Sequence, residues 1–565
     1  MKGFGGIWQK FLRRTYSAVN TRECPERGRR EQEANCKSIL TIAFIGAIAV
    51  GSGFFVLFVQ PYDILFKLKC TFSDGGEIFE MWRKPPVDLY LRVFLFNVTN
   101  REAFLRGEEK LKVQEVGPYV YKELMTHENI TFNDNGTVSA IPKHPLVWVP
   151  ELSEGRREDD ILVLPNIALL SIAHVVSDES YFTRLGLNLL IRQTNSLPLI
   201  EMTAREFMFG YKSALMTVGN TFMSSWIYFD KLGLIDRMYD FDGDFETVFT
   251  GEDDVTKAGL IDKYRGETKI PQWDNPCGNI QNASDGTKFK GNLKPNETIL
   301  FFRKSMCRTQ ILEKVGETTS SGLKGYVYHF KENSNDNGKY YPENKCFCSS
   351  DRCLPPGLLD VHGCYYGFPI ALSYPHFYKA DPVVFEKTEG SKPDPEKHTS
   401  FFVINPESGL PLDVAVRMQI NMALGSISTI ANTERFSNMV LPLLWTEIRM
   451  YTLPNSLASR FNLYLNVLPV VQVAAMYALF FMGAAFFLVS IVRYFRKKRR
   501  SGTPSRTPWI DEEIPSSIER KLSYIPDTRK KMNAKELEVY FNSLIAPLNQ
   551  ELEHHEIIET KESQG

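Results

Sequence analysis

Two stretches without a single charged residue decide what this chain can fold into. They are ILTIAFIGAIAVGSGFFVLFV, Ile39 to Val59, and VLPVVQVAAMYALFFMGAAFFLVSIV, Val467 to Val492. At about 1.5 Å of rise per residue, even the shorter one reaches roughly 30 Å as a helix, enough to cross the hydrocarbon core of a bilayer. A buried core helix is the competing use, but such helices seldom run so long without a charge. The expectation is a membrane hairpin with about 400 residues between the spans.

Flanking charge sets the orientation. Lys10, Arg13, Arg14, Arg22, Arg27, Arg29, Arg30 and Lys37 precede the first span, and Arg493, Arg496, Lys497, Lys498, Arg499 and Arg500 follow the second. Both flanks belong on the cytosolic side. The first run is too long and starts too late for a cleaved signal peptide, and VQPY is a poor cleavage site, so it reads as a retained anchor. The expected organisation is a cytosolic tail over 1–37, a span over 38–60, a lumenal or extracellular domain over 61–462, a span over 463–493 and a cytosolic tail over 494–565. N-x-[ST] sequons at Asn97, Asn129, Asn135, Asn282 and Asn296 all fall between the spans, as glycosylation there requires.

Composition removes several function classes. With 66 basic and 67 acidic residues the net charge is −1, which argues against nucleic acid as a partner. There is no G-x-S-x-G, H-E-x-x-H or P-loop, so no enzyme and no cofactor is expected. The acidic run DFDGDFE, Asp240 to Glu246, has Gly at the wrong place for an EF-hand and reads as a turn between strands. In the C-terminal tail, EHHEII loosely resembles an acidic sorting signal, and His554 with His555 is a weak metal pair. The Lys/Arg run is most simply a topology anchor, with anionic lipid as an added partner.

The region between the spans is rich in short β-type runs, such as VDLYLRVFLFNV, TILFFRK and GYVYHF, separated by Gly, Pro, Asn and Asp. PLDVAVRMQINMALGSIS also reads as strand. Two zones read as helix: LPNIALLSIAHVV, opened by Pro165, and SDESYFTRLGLNLLIRQTN, with Ser177 as the cap. In the second, Arg184, Asn188 and Arg192 are spaced by four and form one narrow polar stripe. Apolar side chains cover most of the rest. They imply either a helix buried in a bundle or an apolar surface open to a ligand or partner.

Cys24 and Cys36 lie on the cytosolic side and are expected to be reduced; Cys36, beside the membrane, is a candidate for palmitoylation. Cys70, Cys277, Cys307, Cys346, Cys348, Cys353 and Cys364 lie outside. His362 beside Cys364 makes a zinc cluster imaginable, but in an oxidising, glycosylated space disulfides are expected. The last six cysteines allow fifteen pairings, and spacing alone does not choose among them.

Several motifs occur together in one order: FEMWRKPPVDLYLRVFLFNVTN, EVGPYVYKE, REFMFGY, CFCSSDRC, GFPIALSYPHF, PESGLPLDVAVRMQIN and LPLLW. In this arrangement, from about 35 to 495, the chain resembles the class B scavenger receptors. That family includes the fatty-acid translocase, the lysosomal integral membrane protein and the insect sensory neuron membrane proteins. The resemblance implies an α+β fold, in which a large, irregular antiparallel β-barrel carries an apical helical bundle over about 165–210. An apolar tunnel would lead towards the membrane. It implies the disulfides Cys277–Cys346, Cys307–Cys364 and Cys348–Cys353, leaving Cys70 free, acylated or bridged to another chain. It also places ligand capture at the apex, where Arg184, Leu187, Asn188 and Arg192 become candidate contacts. Lysines cluster there in members that bind oxidised lipoprotein; here the apex is only weakly basic.

The function implied is capture of lipids (fatty acids, sterols, phospholipids or lipoproteins) and their passage through the tunnel, at the plasma membrane. An endo-lysosomal receptor that grips protein cargo by the apical helices is the alternative. A two-span channel is a third class, with Gln472 and Ser490 as its polar candidates in the second span.

Overall fold

The computed structural model describes residues 25–213, 215–217, 231–235, 243–274, 276–348, 353–365, 367–451 and 453–501. Cys24, the basic residues before it, Asp240 to Asp242, Ser349 to Arg352 and the EHHEII segment lie outside these residues. The chain divides into two compact units, Met1–Tyr494 and Phe495–Gly565. Of the second, only the residues to Ser501, which end a helix, are described.

Both charge-free runs are helical. Helix α1 covers Pro25–Val59, so residues 25 to 37, assigned above to the tail, are helical and continuous with the first charge-free run. Gln60 adopts φ 46° and breaks the helix before Pro61, which opens α2, Pro61–Cys70; α3 follows at Glu77–Arg83. Among the described residues two helices are long and apolar enough to cross a membrane. They pack through missing side chains. A Cβ at Gly53 would lie 3.0 Å from the Phe480 ring, and one at Gly483 would lie 2.5 Å from Val50. Of the small residues in the first span, Gly51 faces open space, whereas Gly53 and the buried Ala49 are covered.

A twelve-stranded sheet organises the region between the spans. Its strands include β1 (Leu89–Val98) and β2 (Leu111–Glu123). A separate four-stranded sheet holds β3 (Thr126–Asn133), β4 (Thr137–Lys143), β5 (Glu246–Phe249) and β6 (Ile261–Tyr264). The large sheet continues with β7 (Ile299–Arg303), β8 (Arg308–Ser320), β9 (Leu323–Phe330), β10 (Phe401–Ile404), β11 (Pro411–Ala423) and β12 (Val440–Met450).

Its hydrogen-bonded path runs β7-β8-β9-β10-β11-β12-β1-β2 and ends on the short parallel strand Thr388–Glu389. Every other pairing in it is antiparallel. Among the described residues the two ends of this path do not pair, so the large antiparallel sheet is present and the described strands form no closed barrel. Its β7 edge is met by Ser284 in an isolated bridge to Phe301, which occupies backbone groups that closure would have used.

Local chemistry explains the irregular places. The β1–β2 register slips between Val93 and Leu95, opposite Gly117, where a Cβ would lie 2.7 Å from the Phe94 ring; only glycine fits there. Across the sheet centre Glu447 of β12 is held between two arginines. Arg92 on β1 and Arg417 on β11 are its ladder partners and both approach to 2.7 Å.

Two longer helices and the short helix Ala204–Phe209 occupy 165–210. Helix α4, Ile167–Val176, is capped by Asn166, whose Oδ1 accepts the Leu169 amide; α5 is Tyr181–Gln193. The cap of α5 is Ser180, not Ser177 as the sequence suggested. Ser177 instead ends α4, where its hydroxyl donates to the His174 carbonyl. After the sheet, α6 (Asn455–Asn462) passes through a π-turn at Leu463–Val467 into α7, Leu468–Ser501.

Candidate functional site

Every second residue of a strand points to the same face. In β11 and β12 three cross-strand pairs follow that rule: Val414 with Met450, Val416 with Ile448 and Met418 with Thr446. All six line one cavity, with about 1480 Å³ of empty space including its open mouth. Ile78, Met81 and Trp82 of α3 form part of its wall, and Leu457 and Phe461 of α6 another. Charged groups are few: Glu123, Asp285, Lys288 and Arg303. A mainly apolar lining with a few placed polar groups is what a lipid-like ligand needs.

A second cavity of about 480 Å³ adjoins it, between α2 and the π-turn. Tyr62, Leu65, Phe66, Cys70, Tyr464 and Leu465 line it. The two cavities share Ile78, Leu410 and Phe461 as walls. An apolar lining thus reaches from the sheet to the segments that continue into both spans. It does not extend the other way: no lining residue of either cavity falls within 165–210.

At the opposite end the large cavity shares Met125, Asp285 and Arg303 with a smaller, polar chamber that also holds His144, Glu246 and Lys304. Glu123 sits beside His144 at 2.6 Å and Arg303 at 3.7 Å. Burial alone would raise its carboxyl, but these neighbours outweigh that and bring it below the usual range. Burial pushes the Lys288 ammonium down to about 8. Its Nζ donates to the Ala258 carbonyl at 2.7 Å. Burial likewise raises the Asp285 carboxyl, and the charge of Glu246 adds to the effect.

Four of the ordered motifs meet at one cluster, in which His376, Gln419 and Trp445 are buried and Glu115 reaches the surface. His376, from GFPIALSYPHF, donates from Nε2 to Glu115 of EVGPYVYKE at 2.6 Å, since its Nδ1 already accepts the Lys392 amide. The indole of Trp445, from LPLLW, donates to the same Glu115 oxygen at 2.6 Å. Gln419, from the β11 motif, accepts the His376 amide. Burial would raise the Glu115 carboxyl; the hydrogen bonds from His376 and Trp445 hold it below its ordinary value. Widely separated motifs therefore lock β2, β11, β12 and the Pro375–Phe377 turn together.

Residues 42–494 match the CD36 family. The chain belongs to this family. It is 30% identical over 462 residues to scavenger receptor class B member 1 of Bos taurus, covering 81% of this chain and 90% of that protein. To lysosome membrane protein 2 of Homo sapiens it is 30% identical over 417 residues, covering 73% and 84%. Protein peste of Drosophila melanogaster is 29% identical over 420 residues, covering 73% and 75%. This is a class B scavenger receptor family membrane protein.

In this CD36-family chain the polar stripe of α5 divides. Asn188 is spent on packing: its Nδ2 donates to the Thr429 carbonyl at 3.0 Å and its Oδ1 accepts the Ala431 amide at 2.7 Å. Leu187 is 8% exposed and belongs to the core, so it cannot meet a ligand from outside. Arg192 is exposed and Arg184 half-buried. The open face is apolar, with Phe182 80%, Tyr181 65%, Leu189 60% and Leu185 41% exposed. Of the two readings of this helix, the partly exposed one describes it. Turning Asn188 inward leaves the apolar face open, and spacing alone does not say which face is covered.

Disulfides join Cys277 to Cys346, Cys307 to Cys364 and Cys348 to Cys353, with Cα separations of 6.2, 6.0 and 4.9 Å. Cys70 is free and buried in the membrane-side cavity wall, where burial pushes its thiol up; Cys36 is free and exposed on α1. Among the sequon residues, Asn129, Asn135, Asn282 and Asn296 are exposed. Asn97 is half-buried on β1, and its Oδ1 accepts the Val163 amide at 2.9 Å.

Proposed function

We propose that this CD36-family protein takes the acyl chain of a lipid into its large cavity and delivers it past Ile78, Leu410 and Phe461 to the bilayer beside α2 and α6. The observation that carries this reading is the shared wall of two apolar cavities, the second of which abuts the helices leading into the membrane. Each methylene gains about 0.8 kcal/mol on leaving water. Passage between two apolar places is nearly neutral, so covered transfer needs no fuel. Fatty acids, sterols, phospholipids or lipoprotein-borne lipids are the proposed cargo. Capture is assigned to the helices over 165–210, at the plasma membrane, the five sequons carry glycans and Cys36 a palmitoyl group.

The test is mass spectrometry of lipids that copurify with the intact glycosylated chain in detergent. Acyl lipid at about one per chain supports the reading. Its absence, where a detergent-only control is equally empty, refutes it.

The second reading is an endo-lysosomal receptor for protein cargo. It rests on the exposed Tyr181, Phe182, Leu185 and Leu189 face of α5. An apolar patch this open, ringed by polar groups, suits a protein partner. The channel reading loses its support, because both polar groups of the second span are engaged. Gln472 accepts the Tyr62 amide at 2.7 Å, and Ser490 donates to the Ile39 carbonyl at 3.2 Å.

A further inference from the structure

The acidic run that reads as a turn in the sequence supplies a buried carboxylate. Glu246 lies on β5, which pairs with β4; β4 pairs with β3, which carries His127. Asp285 comes from the segment that bridges to β7. Three separate elements converge here. One ligand atom from each residue lies within 4.8 Å of the other two. The residues are 2%, 7% and 8% exposed.

Their hydrogen bonds leave this cluster short of positive charge. His127 Nδ1 lies 2.9 Å from the Trp82 carbonyl oxygen, which can only accept, so Nδ1 carries the proton. In the neutral ring Nε2 is then a bare lone pair, and it faces Glu246 Oε1 at 3.1 Å. Two acceptors at that distance need something positive between them. Asp285 Oδ1 accepts the amide and hydroxyl of Thr287, at 2.8 and 2.6 Å, but its buried Oδ2 has no partner. A second proton on the imidazole would answer the first contact and leave Oδ2 bare. The nearby cations are held by others: Lys304 by Asp244, Lys288 by backbone carbonyls and Arg303 beside Glu123.

We infer that His127 Nε2, Glu246 and Asp285 bind one divalent transition-metal ion, and that zinc fits the set best. One imidazole and two carboxylates form a three-ligand zinc set with the fourth position open. Bonds of about 2.0–2.2 Å put tetrahedral ligand atoms roughly 3.4 Å apart, so the side chains close by at most about 1.5 Å. The Trp82 carbonyl does the orienting work expected behind a histidine ligand. Asp285 lines both the large cavity and the polar chamber, which gives the ion an entry path. The fourth position is then available to water or to an anionic lipid headgroup. The metal site stands whether or not lipid passes.

The test uses the full-length chain in detergent, carrying His554→Ala and His555→Ala to remove the tail histidine pair, stripped with chelator and titrated with zinc chloride. The expected result is one zinc per chain by elemental mass spectrometry, with the midpoint of thermal unfolding raised. Asp285→Asn and Glu246→Gln should each weaken binding by about tenfold or more. The parent loaded with cobalt should show the visible absorption of a tetrahedral site, a readout that needs no variant to fold. No stoichiometric zinc, no cobalt spectrum, or zinc bound as tightly by both variants as by the parent overturns the inference.

Discussion

Replacing Leu410 with tryptophan should close the route between the two cavities. Leu410 is one of three side chains common to both walls, so extra bulk there fills the junction rather than either chamber. A sixteen-carbon chain withdrawn from water gains about 13 kcal/mol at about 0.8 kcal/mol per methylene. If the block strands six methylenes in water, about 5 kcal/mol is lost, or more than three decades of occupancy. If those methylenes fold back into the large cavity, occupancy survives but transfer to the bilayer stops. Both outcomes predict that uptake of a fluorescent fatty acid by expressing cells falls at least tenfold. Overpacking costs about 1–3 kcal/mol of stability, so surface amount and glycan maturation must be measured alongside uptake. Val315→Trp, on an exposed strand position, serves as the matched control. Uptake by Leu410→Trp within twofold of wild type, at equal surface amount, would show that the junction is not the route.

Glu447→Gln strips the buried partner from Arg92 and Arg417 and should cost about 3–5 kcal/mol, read as a lower midpoint in thermal unfolding. His398 is held down to about 4 by burial first and then by the charge of His376, with Glu115 and Asp394 opposing. Its folded pKa lies below the unfolded value near 6.5, so its contribution is complete above about 6.5 and is lost as pH falls towards 4. The loss is on the order of 2–3 kcal/mol, and His398→Gln should flatten stability over that window in a pH series of unfolding curves. Phe182→Ser with Leu189→Ser should leave the unfolding midpoint unchanged, both side chains being exposed. On the second reading the pair abolishes protein-cargo binding while lipid uptake persists; unchanged binding would remove that reading.

The sequence exposed whatever depends on a local period or a local chemistry. Two uncharged runs are helices long enough to cross a membrane, and TILFFRK and PLDVAVRMQIN are strands by residue type. Ser180 was missed as a cap because Ser177 offers the same hydroxyl three residues earlier; which one caps depends on where α4 stops. The inward turn of Asn188 depends on a loop at 429–431, about 240 residues away in sequence, and no helical spacing encodes it. The open ends of the large sheet were equally invisible, since closure is a matter of pairing between distant edges. Glu246 shows the limit most clearly. DFDGDFE has the composition of a solvated turn, yet the fold buries its last acid against His127, and only the three-dimensional pairing of β3, β4 and β5 reveals that.

The cavity system also carries a direction. Of the charged groups lining the large cavity, Asp285 and Arg303 are shared with the polar chamber and Glu123 sits beside Arg303, whereas the junction at Ile78, Leu410 and Phe461 is apolar; Lys69 and Glu77 line the second cavity beyond it. A bare carboxylate or phosphate pushed through that junction would lose its hydration with no partner, at a cost of several kcal/mol or more. An acyl tail crosses at almost no cost. On the lipid reading the tail therefore leads and the head follows, and a carboxylic acid that can protonate crosses more readily than a phosphodiester that cannot. Two lipids with the same acyl chain, one a fatty acid and one a lysophospholipid, should then occupy the large cavity alike and differ in transfer. Equal transfer rates for the two would mean that the head never passes the junction, and that lipids leave by another opening.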